Sequence, residues 1–79
     1  MEFYRAVVHY RSGPAFSFVS VRGCVREWVA WHLGRGAAFG VVASLSGVSS
    51  VADLQSGVWR TLWYFRRSAS GAVVWSAAA

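Results

Sequence analysis

The stretch Ser50-Val51-Ala52-Asp53-Leu54-Gln55-Ser56-Gly57-Val58-Trp59-Arg60-Thr61-Leu62-Trp63-Tyr64-Phe65-Arg66-Arg67 admits two readings, and the choice between them decides the fold. Ser50 and Asp53 have capping-box spacing: the serine oxygen and the acid satisfy the first free amides of a helix, and the acid suits its positive end. A helix therefore begins at Val51. Continued to Arg67, it would set Leu54, Val58, Leu62 and Phe65 against Asp53, Ser56, Arg60 and Arg67. Stopped at Gly57, it leaves Val58 to Arg66 as a strand with Trp59, Thr61, Trp63 and Phe65 on one face. A glycine inside a helix costs roughly 1 kcal/mol, and Val, Trp, Thr, Tyr and Phe favour strands. The strand reading is preferred, and both readings give an α+β fold.

Working outward, Ser68-Ala69-Ser70-Gly71 reads as a hairpin loop leading into a strand at Ala72 to Ser76. Upstream, Ala38 to Leu45 alternates, with Phe39, Val41, Ala43 and Leu45 on one face, and predicts another strand. Val25, Trp28, Val29 and His32 fall at helical spacing with Arg26 and Glu27 turned away. They predict a helix of about ten residues stopped by Gly34 and Gly36. From Phe3 to Arg11 the even positions Tyr4, Ala6, Val8 and Tyr10 are apolar, and the other face holds Arg5, His9 and Arg11 with Phe3 and Val7. Ser12-Gly13-Pro14 then turns the chain into an extended Ala15 to Arg22, completing a hairpin. The expectation is a single α+β domain over residues 1–79: an antiparallel sheet built from the N-terminal hairpin and later strands, packed with one or two helices. No repeat, linker or domain boundary interrupts it.

The 79 residues are 56% hydrophobic, with eight arginines, no lysine, three acids and a formal charge of +5. A chain this short is near the lower limit for folding without a staple. Cys24 is the only cysteine, which excludes an internal disulfide and a cysteine-based zinc site. His9 and His32 share no metal-ligand spacing, so no metal or cofactor is expected. The remaining stabilising resource is aromatic: five Trp, five Phe and three Tyr, each able to bury about 150–250 Å². At most one or two exposed tryptophans are expected. Oligomerisation would bury more, and a homodimer and a monomer both fit the composition. The longest uncharged stretch, Gly36 to Ala52, carries serines and glycines and falls short of the about twenty apolar residues a membrane span needs. Met1-Glu2-Phe3-Tyr4-Arg5 does not resemble a signal peptide, and the free thiol suits a cytoplasmic protein. Lys, Asn and Ile are absent while Ala, Val, Gly, Arg and Trp abound, the bias of a GC-rich genome.

Catalysis finds little material. If Cys24 opens the helix, His32 lies about 12 Å along the axis at 1.5 Å per residue, too far for a dyad. His9 could approach Cys24 from the hairpin, but nothing requires it. Glu2, Glu27 and Asp53 are the whole carboxylate supply, expected to pair with arginines. Gly34-Arg35-Gly36 follows a helix, whereas a dinucleotide loop follows a strand, so it reads as a helix stop with Arg35 exposed at its tip. An enzyme is not expected. The arginines carry the functional signal: they are either a solvated surface that keeps an apolar domain in solution or a patch that attracts an anionic partner. Arg5, Arg11, Arg35, Arg60, Arg66 and Arg67 are the candidate partner-binding residues. Aromatics between arginines, as in Trp59-Arg60 and Trp63-Tyr64-Phe65-Arg66-Arg67, suit stacking on single-stranded bases. The partner is then an acidic protein surface or nucleic acid.

A motif-free α+β domain of this size, with one cysteine, no catalytic set and GC-rich composition, resembles the small phage-encoded anti-CRISPR proteins directed at type I surveillance complexes. The resemblance implies a stoichiometric inhibitor in the host cytosol that docks on the complex and prevents it from binding target DNA. Many such proteins are acidic and imitate DNA, and the charge of +5 departs from that pattern. Arg5, Arg11, Arg60, Arg66 and Arg67 would instead meet acidic side chains, guide-RNA phosphates or the path the DNA enters. The alternative is a small basic nucleic-acid-binding or regulatory protein.

Overall fold

A computed structural model describes residues 1–78. In chain order the elements are β1 (Phe3–His9), β2 (Phe16–Ser20), α1 (Arg22–Gly34), β3 (Phe39–Leu45), α2 (Val51–Ser56), β4 (Arg60–Arg67) and β5 (Val73–Ala77). The strands form one antiparallel sheet in the order β2-β1-β3-β4-β5. This is the α+β domain expected, with the N-terminal hairpin at one side and both predicted helices present.

The ambiguous stretch resolves as helix, stop, strand. The capping box forms at Ser50 and Asp53, and α2 ends after six residues. Its C-terminal neighbour Gly57 runs so close to Leu45 that a Cβ there would stand 2.7 Å from a leucine methyl. A larger residue would lift the chain off the sheet, so the glycine marks a close crossing as well as a helix stop.

One expectation about β4 is corrected. Val42 pairs with Trp63 but Ala43 pairs with Thr61, so a bulge absorbs Leu62. An extra residue inverts the alternation beyond it. Thr61 therefore shares a face with Tyr64 and Arg66, while Trp63 and Phe65 face the other way. The four residues Trp59, Thr61, Trp63 and Phe65 do not form one stripe.

Helix α1 packs on the face carrying Ala6 and Val8, using Val25, Val29 and His32. The core comprises Ala6, Val8, Val25, Val29, Ala37 and Phe65, with Tyr4, Tyr10, Phe18, Trp28, Leu33, Val42 and Val73 around it. Small residues at the centre let the helix approach, and the aromatics close the margins: Phe18 stacks on Trp28 at 5.5 Å and 20°. The helix ends in a Schellman motif, in which Gly36 N–H donates to Leu33 O at 3.2 Å and Ala37 N–H to His32 O at 3.0 Å. Gly36 has φ +96, which explains why a glycine stands there.

The helix contacts β1 and β2, leaving the β4–β5 side of the same face as a groove of about 450 Å³ that Leu62, Trp63 and Trp75 help to line. Three tryptophans are exposed, at 57% for Trp31, 47% for Trp63 and 45% for Trp75, against the one or two expected. For Trp63 and Trp75 the physical reason is coverage, since one 13-residue helix cannot roof five strands, whereas Trp31 lies on α1 outside its buried positions Val25, Val29 and His32.

Candidate functional site

The sheet register decides where each arginine goes. His9, Phe39 and Arg66 lie side by side at one end of β1, β3 and β4. The β1–β2 turn, the C-terminus of α1 and the β4–β5 loop meet at the same end. They bring together Arg11, Arg35, Arg66 and Arg67, which line two adjoining clefts that share Arg11 and Gly36. One cleft lies between the turn and the helix, against Tyr10, Phe16, Trp31 and His32. The other lies between Phe39 and the loop Ser68, Ala69 and Gly71.

The four arginines are not equivalent. Arg11, Arg35 and Arg66 are exposed. Arg35 lies over the Trp31 ring at 4.7 Å, a cation–π contact that orients the guanidinium without consuming its donors. Arg67 is half-buried: its Nε donates to Ala37 O at 2.8 Å, its Nη1 to Gly71 O at 2.9 Å and its Nη2 to Leu33 O. The fork ties the helix end, the start of β3 and the β4–β5 loop together. Arg67, one of the expected docking residues, lines the cleft and also acts as a clamp that shapes it.

Two further candidates lie elsewhere. Arg5 is on the sheet face away from α1, with its guanidinium 4.7 Å from the Trp59 ring centre. Arg60 pairs with Ser44 on the helix-side face at the other end of the sheet, outside the cluster that holds Arg66. The six arginines thus split into an end cluster of four, one on the open face and one remote.

Of the acids, Glu2 departs from the expected pairing with arginine, while Asp53 forms the helix cap expected of it. Glu2 accepts from Tyr4 Oη at 2.9 Å and Ser46 Oγ at 3.1 Å. That bond holds the Tyr4 phenol above its ordinary range. Asp53 accepts from Ser49 N–H at 2.8 Å, Ser49 Oγ at 3.0 Å and Ser50 N–H at 3.1 Å. These bonds, the Ser49 amide foremost, hold its carboxyl below the usual carboxylate range. Hydroxyls and amides, rather than arginines, engage both carboxylates. Both sit beyond the far end of β3, about 20 Å from Arg66 at roughly 3.3 Å per residue. That is more than twice the screening length of about 8 Å at physiological salt. Neither of these two carboxylates therefore appreciably offsets the charge of the basic end.

The sheet face away from α1 adjoins this end. Trp59 occupies its far part, donating Nε1–H to Leu54 O at 3.2 Å. The remainder is uncovered, with Phe39 and Tyr64 exposed beside Arg66. His9 stacks on Phe39 at 4.4 Å and 6°. His9 is thus on the side of the sheet opposite Cys24, and the approach between them that the hairpin allowed does not occur. His32 is enclosed by aromatics, with Nδ1 2.6 Å from Tyr10 Oη, and burial, aided by Arg35, pushes its pKa below the usual imidazole value. Among the described residues, no group of three His, Cys, Asp or Glu side chains could hold a metal ion, and no helix is long and apolar enough to cross a membrane.

The sequence reading missed the open aromatic face, because alternation along each strand shows neither that β3 and β4 pair with Phe39 against Arg66 nor that this face is left uncovered. No family model matches the chain, and neither a curated protein nor a solved structure shows significant similarity to it.

Proposed function

We propose that the protein is a non-enzymatic binding domain that docks through its arginine-rich end on an anionic partner. In the form the sequence resemblance implies, the partner is a CRISPR surveillance complex whose binding of target DNA is blocked. The observation that carries this reading is the convergence of Arg11, Arg35 and Arg66 on one end, shaped by Arg67. Guanidinium groups pair bidentately with carboxylate and phosphate alike, so this end suits an acidic protein patch, guide-RNA phosphates or the DNA entry path. The test mixes the purified protein with a type I surveillance complex and measures both co-elution and target-DNA binding. Co-elution with loss of DNA binding, abolished by Arg11→Glu with Arg66→Glu, supports the reading. Unchanged behaviour of the charge-reversed protein overturns it.

One observation favours a second reading, direct binding of nucleic acid. Phe39 and Tyr64 are exposed next to Arg66, and a basic patch beside aromatic side chains is how single strands are bound without sequence preference. A gel shift with DNA and RNA alone separates the two. Robust binding in the absence of any protein partner, with a steep salt slope, selects the second.

A further inference from the structure

We infer that the open sheet face beside the arginine-rich end is a stacking platform for single-stranded nucleic acid, with bases on Phe39 and Tyr64 and phosphates on Arg66 and Arg11. The inference rests on the second reading above and names the residues that would perform it.

The solvent face of an antiparallel sheet is ordinarily polar. Here the uncovered part presents Phe39 at 51% and Tyr64 at 49% exposure. Phe39 pairs with Arg66 and Val41 with Tyr64, so the two aromatics are diagonal neighbours on adjacent strands. Such neighbours are about 7–8 Å apart, within reach of two successive bases of an extended strand. His9, stacked on one side of Phe39, holds that ring in place. The other side of Phe39 faces β4, where Arg66 stands. A base stacked on the exposed ring of Phe39 therefore brings its own phosphate within reach of the Arg66 guanidinium.

Charge selects the occupant. Among the described residues, the ionisable groups that the strands place on this face are Arg5, His9, Tyr64 and Arg66, with no carboxylate. A second copy docked face to face would set arginine against arginine. A polyanion gains from each one. The platform also runs directly into the cleft that Arg11, Phe39 and Arg66 line together, so a strand crossing the face is led toward the arginine-rich end.

The test is fluorescence anisotropy with labelled single strands of oligo(dT) and oligo(U) of about twelve nucleotides, within the site sizes such surfaces cover, and with a mixed-sequence duplex. The wild type is expected to bind the single strands more tightly than the duplex. Phe39→Ala and Tyr64→Ala should each weaken single-strand binding by about fivefold to a hundredfold, the range alanine substitution of a stacking residue gives. Tyr64→Phe should bind as wild type, as should Trp63→Ala on the opposite face. The aromatic variants should keep the wild-type salt slope, whereas Arg66→Glu should reduce it. All the substituted side chains are exposed, and thermal melts confirm folding. If the wild type binds no single strand, the inference is wrong, although capture of a surveillance complex would leave the docking function standing. If alanine at 39 and 64 binds as wild type while Arg11→Glu with Arg66→Glu does not bind, the arginines dock and the platform is wrong. If light scattering shows a dimer that Phe39→Ala dissociates, the face is an interface between copies and the inference is also overturned.

Discussion

The ring of Phe65 on β4 fills the space beside Gly40 on β3 that any side chain at position 40 would occupy. A Cβ at residue 40 would collide with the edge of that ring and stand 2.5 Å from the Val7 carbonyl oxygen. Gly40 is buried in the third strand of the sheet order, where glycine otherwise weakens a sheet, so close packing explains it. Gly40→Ala is expected to destabilise the domain by about 1–3 kcal/mol through overpacking. In a domain of this size each kcal/mol moves the melting temperature by roughly 4–8 °C, which a thermal melt followed by circular dichroism resolves.

Arg66 and Arg67 are neighbours with opposite assignments. Arg67 is held by three main-chain carbonyls from three segments, and hydrogen bonds involving a charged group are among the stronger ones. Arg67→Ala should cost about 2–3 kcal/mol in urea unfolding. Arg67→Lys should recover little of it, because an ammonium cannot reproduce the fork. Arg66→Ala should change stability by no more than about 0.5 kcal/mol, as expected of an exposed side chain. Equal losses at the two positions would contradict the division between clamp and docking residue.

His32 makes stability depend on pH. Burial, with Arg35 nearby, holds its folded-state pKa below the unfolded value of about 6.5. The unfolded chain therefore binds the proton more readily than the folded one. The stability contribution is complete above about pH 6.5 and is lost progressively as pH falls from there toward the folded-state pKa. Urea midpoints measured between pH 7.5 and pH 5 should decline in the wild type. His32→Leu should flatten that decline while lowering stability throughout, because Tyr10 Oη loses its partner at Nδ1. A wild-type profile that rises as pH is lowered would contradict the assignment.

Much of the fold was legible in local pattern. The period-two run through Tyr4, Ala6, Val8 and Tyr10, the helical spacing of Val25, Val29 and His32, and the cap at Ser50 and Asp53 each specify an element independently of the rest. Gly57, read against the β-favouring run after it, correctly ended α2. What failed was non-local. The bulge at Leu62 depends on how β4 meets β3, so the faces of Thr61 and Trp63 could not be assigned from alternation. The exposure of Trp63 and Trp75 follows from how little of the sheet α1 covers. At the candidate site the sequence singled out the arginines, but only register and chain crossings show that Arg11, Arg35, Arg66 and Arg67 share one end, that Arg60 lies at the other and that Arg67 is bound by main-chain carbonyls. Tyr64 stood out as one of the aromatics between arginines suited to stacking, but Phe39 was visible only as one aromatic of a separate strand, and their adjacency depends on the pairing of β3 with β4.

Docking through the arginine-rich end makes binding depend on Arg11 and Arg66 and not on Arg60. That dependence is tested most directly by the affinity of the Arg11→Glu with Arg66→Glu protein for a purified type I surveillance complex, measured beside the wild type and beside Arg60→Glu. The account predicts that the double reversal weakens binding at least about a hundredfold, in line with the several kcal/mol that like-charge juxtaposition costs at an interface. Its melting temperature should stay at the wild-type value, and Arg60→Glu should bind as wild type. Wild-type affinity in the double reversal, or loss of binding with Arg60→Glu alone, would contradict it.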